Sequence, residues 1–298
     1  MKRKKGKYLS FHLMLLIPTA LLVVYCYVPM AGIIIAFQNY KPALGFTGSK
    51  FTGLENFRVL FTNPGFMQAL KNTVVIAFWK IITGLIVPVT FSLLLNEIRR
   101  SSIKRTAQTI IYMPYFISWV LMAGIIVDIL SPENGIVNRL LGLFGVEPVF
   151  FLGDNNWFKP VLVVTNVWKE FGWGTIIYMA ALTGIDLNLY EAAAIDGAGR
   201  WKQTLHVTLP GIAPTIVLLT TLSLGNVLNA GFDQVYNLMS PITLESGDII
   251  DTLIYRLGIK NAQFGIATAA GLFKSMISAF FIVTSYKLAY KFTGYRVF

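Results

Sequence analysis

The chain has 298 residues, 55% hydrophobic and only 13% charged, with a mean hydropathy of +0.63 and a formal charge of +11. That balance excludes an ordinary soluble globular domain, in which about a quarter of the residues carry charge. The positive charge excludes no partner until its placement is read, because a basic surface suits nucleic acid and a basic loop suits a membrane boundary.

Lys2, Arg3, Lys4, Lys5 and Lys7 precede the first apolar run, 13–37. A basic segment before an apolar one also describes a secretory signal. This run is about twice the length of a signal core and ends in no small-x-small cleavage site, so it reads as a permanent anchor. Cys26, the single cysteine, lies within it, so no internal disulfide can form.

Further apolar runs follow at 73–95, 109–130, 161–183, 212–228 and 266–290. A helix needs roughly 20 apolar residues to cross about 30 Å of hydrocarbon, and these runs are of that order. None has the short alternating pattern of a barrel strand. The expected fold class is an all-α membrane protein with six transmembrane helices. Pro18, Pro88 and Pro114 fall within or at the start of these runs and permit kinks, since each removes a backbone donor.

Between the runs the charge is unevenly placed. Arg99, Arg100, Lys104 and Arg105 lie between the second and third, Arg200 and Lys202 between the fourth and fifth, and Lys287, Lys291 and Arg296 near the end. With six crossings these all fall on the side of the basic start, which the positive-inside rule makes cytoplasmic, with both termini inside. The charge is then topogenic, and no nucleic-acid partner is expected.

On the opposite side, segment 38–72 is expected to hold a short amphipathic helix with Phe57, Leu60 and Phe61 turned inward. Segment 131–160 carries Trp157 as an interfacial anchor. The longest stretch, 229–265, carries Asp233, Glu245, Asp248 and Asp251 and offers a surface to an outside partner. No internal repeat or flexible linker appears, so residues 1–298 read as a single membrane domain.

The most informative segment is the inner loop 188–211. It reads as a short helix over 190–195, a turn at Gly197, and a second short helix over about 200–207 stopped before Pro210. Either it packs against its own bundle, or it docks into a groove on a soluble partner. For docking, Trp201, Leu205 and Val207 offer apolar contact while Glu191, Asp196, Arg200 and Lys202 set register.

The residues Glu191, Ala192, Ala193, Asp196, Gly197, Ala198, Leu209 and Pro210 resemble the Glu-Ala-Ala motif of the inner-membrane components of binding-protein-dependent ABC importers. In that motif Glu-Ala-Ala is followed after three residues by Gly and then by Ile-x-Leu-Pro. Val207 stands in place of the usual Ile, and Thr204 where an aromatic is common. Residues 27–32, 36–40 and 265–275 are similar to sugar permeases of the complex-polysaccharide type, a group that includes importers of alginate, pectin and other uronate oligosaccharides.

The resemblance implies a permease in a bacterial cytoplasmic membrane, with a type I importer architecture and its ATPase-coupling residues in the motif. Its implied partners are a second homologous permease, two copies of a cytoplasmic ATPase, an extracellular solute-binding protein, an oligosaccharide and membrane lipid. It implies no cofactor on this chain and no catalytic residue, with ATP and magnesium held by the ATPase. In keeping with that, the chain has no G-x-x-x-x-G-K-[ST] phosphate loop.

Sugars are held by aromatic faces and by polar groups that bond hydroxyls. The apolar runs offer Trp79, Lys80, Asn166, Glu170, Trp173, Asn226, Asn229 and Lys274 for such a pathway. Asn166, Glu170 and Trp173 share a helical face. Charges in hydrocarbon usually face a cavity or a partner, so Lys80, Glu170 and Lys274 line the pathway, or else Lys169 or Lys80 snorkels, Glu170 pairs with a lysine and the tryptophans form interfacial belts.

Two other classes fit less well. A secondary transporter would carry paired repeats or interrupted helices. A membrane enzyme would need a nucleophile–base pair or metal ligands, and His12 and His206 stand apart.

Overall fold

The computed structural model describes residues 3–293, which are helical almost throughout. The labelled helices are α1 (Arg3–Leu22), α2 (Glu55–Thr62), α3 (Pro64–Glu97), α4 (Ser101–Tyr112), α5 (Trp119–Leu130), α6 (Ile136–Leu143), α7 (Asn155–Leu182), α8 (Leu187–Ile195), α9 (Arg200–Gln203), α10 (Leu209–Gly225), α11 (Phe232–Leu238) and α12 (Phe264–Thr293).

Among the described residues, four helical stretches are long and apolar enough to cross a bilayer: Phe11–Phe37, Pro64–Glu97, Arg200–Gly225 and Phe264–Lys287. A helix pair of comparable apolarity, Ser101–Phe116 and Trp119–Leu130, is bent by 106° at a short break and makes a fifth only if the two are counted as one span. The remaining expected run lies in α7, whose 28 residues carry Lys159, Lys169 and Glu170 along an otherwise uncharged helix.

The third run therefore departs from the single helix expected over 109–130. Pro114 sits in a tight 3-10 turn, Met113–Phe116, and Ile117 is extended. Ser118 then caps a new helix, its side chain accepting from the Leu121 N–H at 3.4 Å. Proline removes a donor, and a cap two residues after the turn restarts the ladder in another direction. Pro18 and Pro88 stay inside α1 and α3.

The chain packs as two compact units, one comprising the residues up to Asn63 with Ile254–Phe273, the other Pro64–Leu253 with the chain from Lys274 onward. In the first, residues 38–39 pair antiparallel with 50–51, Gln38 opposite Phe51 and Asn39 opposite Lys50. Asn56 of α2 donates to the carbonyls of Ala36 and Gln38, both at 2.9 Å. Leu60 is buried, Phe57 packs on Phe37, and Phe61 meets Phe273 edge-on at 5.2 Å.

In the second unit α3 lies along α7, and α4 crosses α7 at Gly172. A Cβ on Gly172 would strike the Ile111 carbonyl oxygen and lie 3.0 Å from Tyr112 Cα, so the two backbones touch there. One core joins Ile76, Met122, Ile126, Phe158, Leu162 and Val235. A second gathers Tyr178, Leu182 and Ile212.

The segment after α10, expected to offer a surface to an outside partner, is in part folded onto the first of these cores. Ile249 and Ile250 are fully buried, and Ser246 and Asp248 nearly so. Asn72 of α3 donates to the carbonyls of Glu245 and Asp248, at 2.8 and 3.0 Å, and Thr73 accepts from the Ile250 N–H at 2.9 Å. Polar side chains on α3 satisfy backbone groups at the ends of two short helices, Leu244–Gly247 and Ile250–Tyr255, that would otherwise be costly to bury.

Candidate coupling loop and cavity

Segment 187–208 is a structured protrusion. Asp186 caps α8, accepting from the Asn188 N–H at 3.0 Å. The helix ends with Gly197 at φ +77°. The Ala198 N–H bonds the Ala193 carbonyl at 2.9 Å, and the Gly197 N–H bonds Ala194 at 3.0 Å. This pair of bonds around a left-handed residue is the Schellman stop, which glycine adopts without strain. Tyr190 and Thr208 join the two arms through their hydroxyls at 2.9 Å. Gln203 closes the turn by donating to the Ala198 carbonyl at 3.0 Å.

The second arm is not stopped before Pro210 as expected. It runs through a wider π turn, Thr204–Thr208, directly into α10, so that Arg200–Gly225 is one helical stretch. The π turn shifts the hydrogen-bond ladder by one residue ahead of the proline, and the missing N–H does not break the helix. Trp201 and Leu205 are exposed as anticipated. So are Leu187 and Ile195, the latter 87% exposed, which helical pattern alone did not single out. Glu191 and Asp196 are exposed as well, and Arg200 reaches Glu97 at the end of α3 at 3.1 Å.

A cavity of about 530 Å³ lies between α3, α7 and α10. Its lining includes Asn166, Glu170, Trp173 and Asn226, with Tyr178 and Ser223 beside them. Half of the expected pathway residues thus meet, three of them from one face of α7.

The other four lie elsewhere. Trp79 lines a separate groove with Val75, Lys159 and Val163. Asn229 accepts from the Gly231 N–H at 3.3 Å. Lys80 donates to the Ala230 carbonyl at 2.6 Å and to Gln234 Oε1 at 2.5 Å, so its charge secures the turn before α11. Lys274 pairs with Asp251 at 2.5 Å, both side chains about one-fifth exposed. Each lysine has a partner outside the cavity, as intramembrane charges require.

The Lys274–Asp251 pair yields a first expectation. Lys274→Met leaves a shielded aspartate unpaired and should lower the thermal midpoint of the purified protein, whereas adding Asp251→Asn should recover part of the loss. Additive losses in a thermal-shift cycle would show that the two charges do not depend on each other.

Lys169, read as a snorkelling lysine, is instead buried, and Glu170 has the lysine partner that reading allowed, Nζ lying 3.6 Å from Glu170 Oε1; Tyr115 was not singled out. Lys169 donates to the Tyr115 carbonyl at 2.9 Å and lies against the faces of Tyr115 and Trp119 at 5.2 and 5.4 Å. Tyr115 stacks on Trp173 with centroids 4.9 Å apart and planes 9° from parallel. The sequence signal was present, because a lysine in the middle of an apolar helix requires a buried acceptor.

Membrane-length helices around a polar and aromatic cavity, with a structured, exposed loop leading straight into one of them, are the features of a multi-pass membrane transport subunit. Residues 81–288 match the family described as "Binding-protein-dependent transport system inner membrane component", and the chain belongs to that family. It is 43% identical to the polygalacturonan/rhamnogalacturonan transport system permease protein YteP of Bacillus subtilis (strain 168), over 96% of this chain and 88% of that one. It is 40% identical to protein LplB of the same organism, over 98% and 91%.

A chain from the crystal structure of a bacterial ABC transporter involved in the import of the acidic polysaccharide alginate superposes with a TM-score of 0.91. The two are 35% identical over 98% of each. A chain from the alginate transporter in complex with an alginate pentasaccharide-bound periplasmic protein gives the same score over 99% of each. The protein is accordingly a transport subunit and not an enzyme; in its family ATP hydrolysis belongs to a separate subunit.

Proposed function

We propose that this chain is one of two permease subunits of a bacterial importer that receives an acidic oligosaccharide from an extracellular binding protein. It acts as a single permease domain with six crossings of the cytoplasmic membrane and both termini inside. Two cytoplasmic ATPases hold the ATP and magnesium and dock on segment 187–208, while this chain binds no cofactor. Ile195 and Trp201 supply the apolar contact, and Glu191 faces a basic residue of the ATPase. The sugar passes Asn166, Glu170, Trp173 and Asn226.

One observation carries the reading: the exposed arm at Arg200 and the membrane-length helix ending at Gly225 are a single helical stretch. A push on the arm is transmitted to the cavity wall without a flexible joint, and Ser223, near the far end of the stretch, lines that cavity. The likeness to YteP and to the alginate transporter supports the acidic substrate.

Reconstitution of the chain with its sister permease, ATPase and receptor tests the proposal. Uptake of an oligogalacturonate should require enclosed ATP and cease with a non-hydrolysable analogue. Uptake driven by an ion gradient without ATP would refute it. Orientation is tested separately in a Cys26→Ser background. Ile242 is well exposed, so Ile242→Cys should react with an impermeant maleimide in intact cells, and Gly199→Cys only after permeabilisation. The reverse pattern would overturn the assigned orientation.

A further inference from the structure

Among the described residues, Glu170 is the one charged residue lining the cavity, and its side chain is 40% exposed. A bare carboxylate there would oppose an anionic sugar, because repulsion across a cavity in a membrane protein is screened far less than in water. Directly behind it lies Lys169, 7% exposed, with Nζ 3.6 Å from Glu170 Oε1. Being adjacent in the helix, the two side chains leave α7 in different directions, one into the cavity and one into the seam with the broken helix.

The ammonium of Lys169 is not part of the lining. It is fixed from three sides, by the Tyr115 carbonyl and by the rings of Tyr115 and Trp119. Lys80 of α3 is itself tied to Ala230 and Gln234. Neither side chain is free to swing into the pathway, so Lys169, the lysine paired with Glu170, contributes a field and not a contact. A donor to the Tyr115 carbonyl needs no charge, and that bond by itself does not explain why the cation stands against the cavity's only carboxylate.

We propose that Lys169 is a specificity-determining positioning residue that acts through Glu170. Its fixed charge cancels the carboxylate, which then accepts hydrogen bonds from sugar hydroxyls without repelling the sugar's own carboxylates. The inference rests on the acidic-oligosaccharide reading and assigns how that substrate class is admitted.

The test compares uptake of trigalacturonate with that of its trimethyl ester in proteoliposomes holding the complete transporter. The same receptor is used throughout, so its preference cancels when ratios are taken relative to wild type. Lys169→Met should lower the acid-to-ester ratio about tenfold, and Glu170→Gln should raise it, because one removes the cation and the other the anion. The double variant should return to within about twofold of the wild-type ratio. If Lys169 only braces the bend, both probes fall together, the ratio is unchanged and the double variant shows no recovery; that result overturns the proposal. Should Lys169→Met fail to assemble, Glu170→Gln decides, and a constant or falling ratio overturns it. A wild-type transporter that carries only the ester refutes the acidic-substrate reading, and the inference falls with it.

Discussion

Replacing Gly197 by valine is expected to abolish uptake while the protein still inserts and pairs with its sister subunit. Gly197 has φ +77°, and no atom lies within 4 Å of where its Cβ would be. The substitution therefore acts on the backbone alone. A β-branched residue in the left-handed region costs on the order of 1–3 kcal/mol, and the turn relieves that strain by leaving the conformation. The Schellman bonds to Ala193 and Ala194 are then lost, and the direction in which the chain enters α9 changes.

Because α9 continues through the π turn into α10, no hinge lies between a misdirected arm and the membrane. Gly197→Asn is the control, since asparagine adopts the left-handed region far more readily than valine does. It should keep a substantial part of the activity. The measurements are membrane-inserted protein, sugar uptake and ATP hydrolysis stimulated by loaded receptor. Normal uptake by the valine variant at wild-type expression would remove the coupling role from this segment.

Gly172→Ala should cause the largest loss of stability. An added methyl at this position meets the backbone of Ile111 and Tyr112, which cannot rotate aside as a side chain can. Alanine is intrinsically better than glycine in a helix by about 0.8–1 kcal/mol. Overpacking at a backbone contact typically costs about 1–3 kcal/mol or more, so the net sign is destabilising. The same seam holds Lys169 against Tyr115 and Tyr115 against Trp173, so separating α4 from α7 also disturbs the cavity wall.

Gly124→Ala in α5 provides the comparison, because nothing lies within 4 Å of its Cβ. Thermal midpoints in detergent should fall clearly for Gly172→Ala and hold or rise for Gly124→Ala. An unchanged midpoint for Gly172→Ala would mean that the two helices separate at little cost.

Much of the architecture is written in short-range pattern. An apolar run of sufficient length has few alternatives to a helix in hydrocarbon, because its own backbone is the nearest source of hydrogen-bond partners. The turn at Gly197 is equally local: its two closing bonds join residues three and five apart, and the left-handed conformation selects glycine wherever the chain lies. The shared face of Asn166, Glu170 and Trp173 follows from helical geometry, and the cavity receives all three.

The destinations of the charges are a different matter. Lys80 is held by a carbonyl 150 residues away, Lys274 by an aspartate 23 residues back, and Lys169 by a carbonyl 54 residues earlier. The local sequence states only that each ammonium must find an acceptor. Which acceptor it finds depends on where the bundle leaves a carbonyl or carboxylate oxygen within reach, and that is set by the packing of the helices. The break after Pro114 belongs to the same class. Proline in a membrane helix permits a bend of almost any size, and the 106° between Ser101–Phe116 and Trp119–Leu130 is held by a serine cap beside it and a lysine from another helix. Chain-local chemistry thus determines the helices and the coupling turn, and long-range packing determines which polar groups face the cavity, because a buried charge is satisfied by proximity in space and not in sequence.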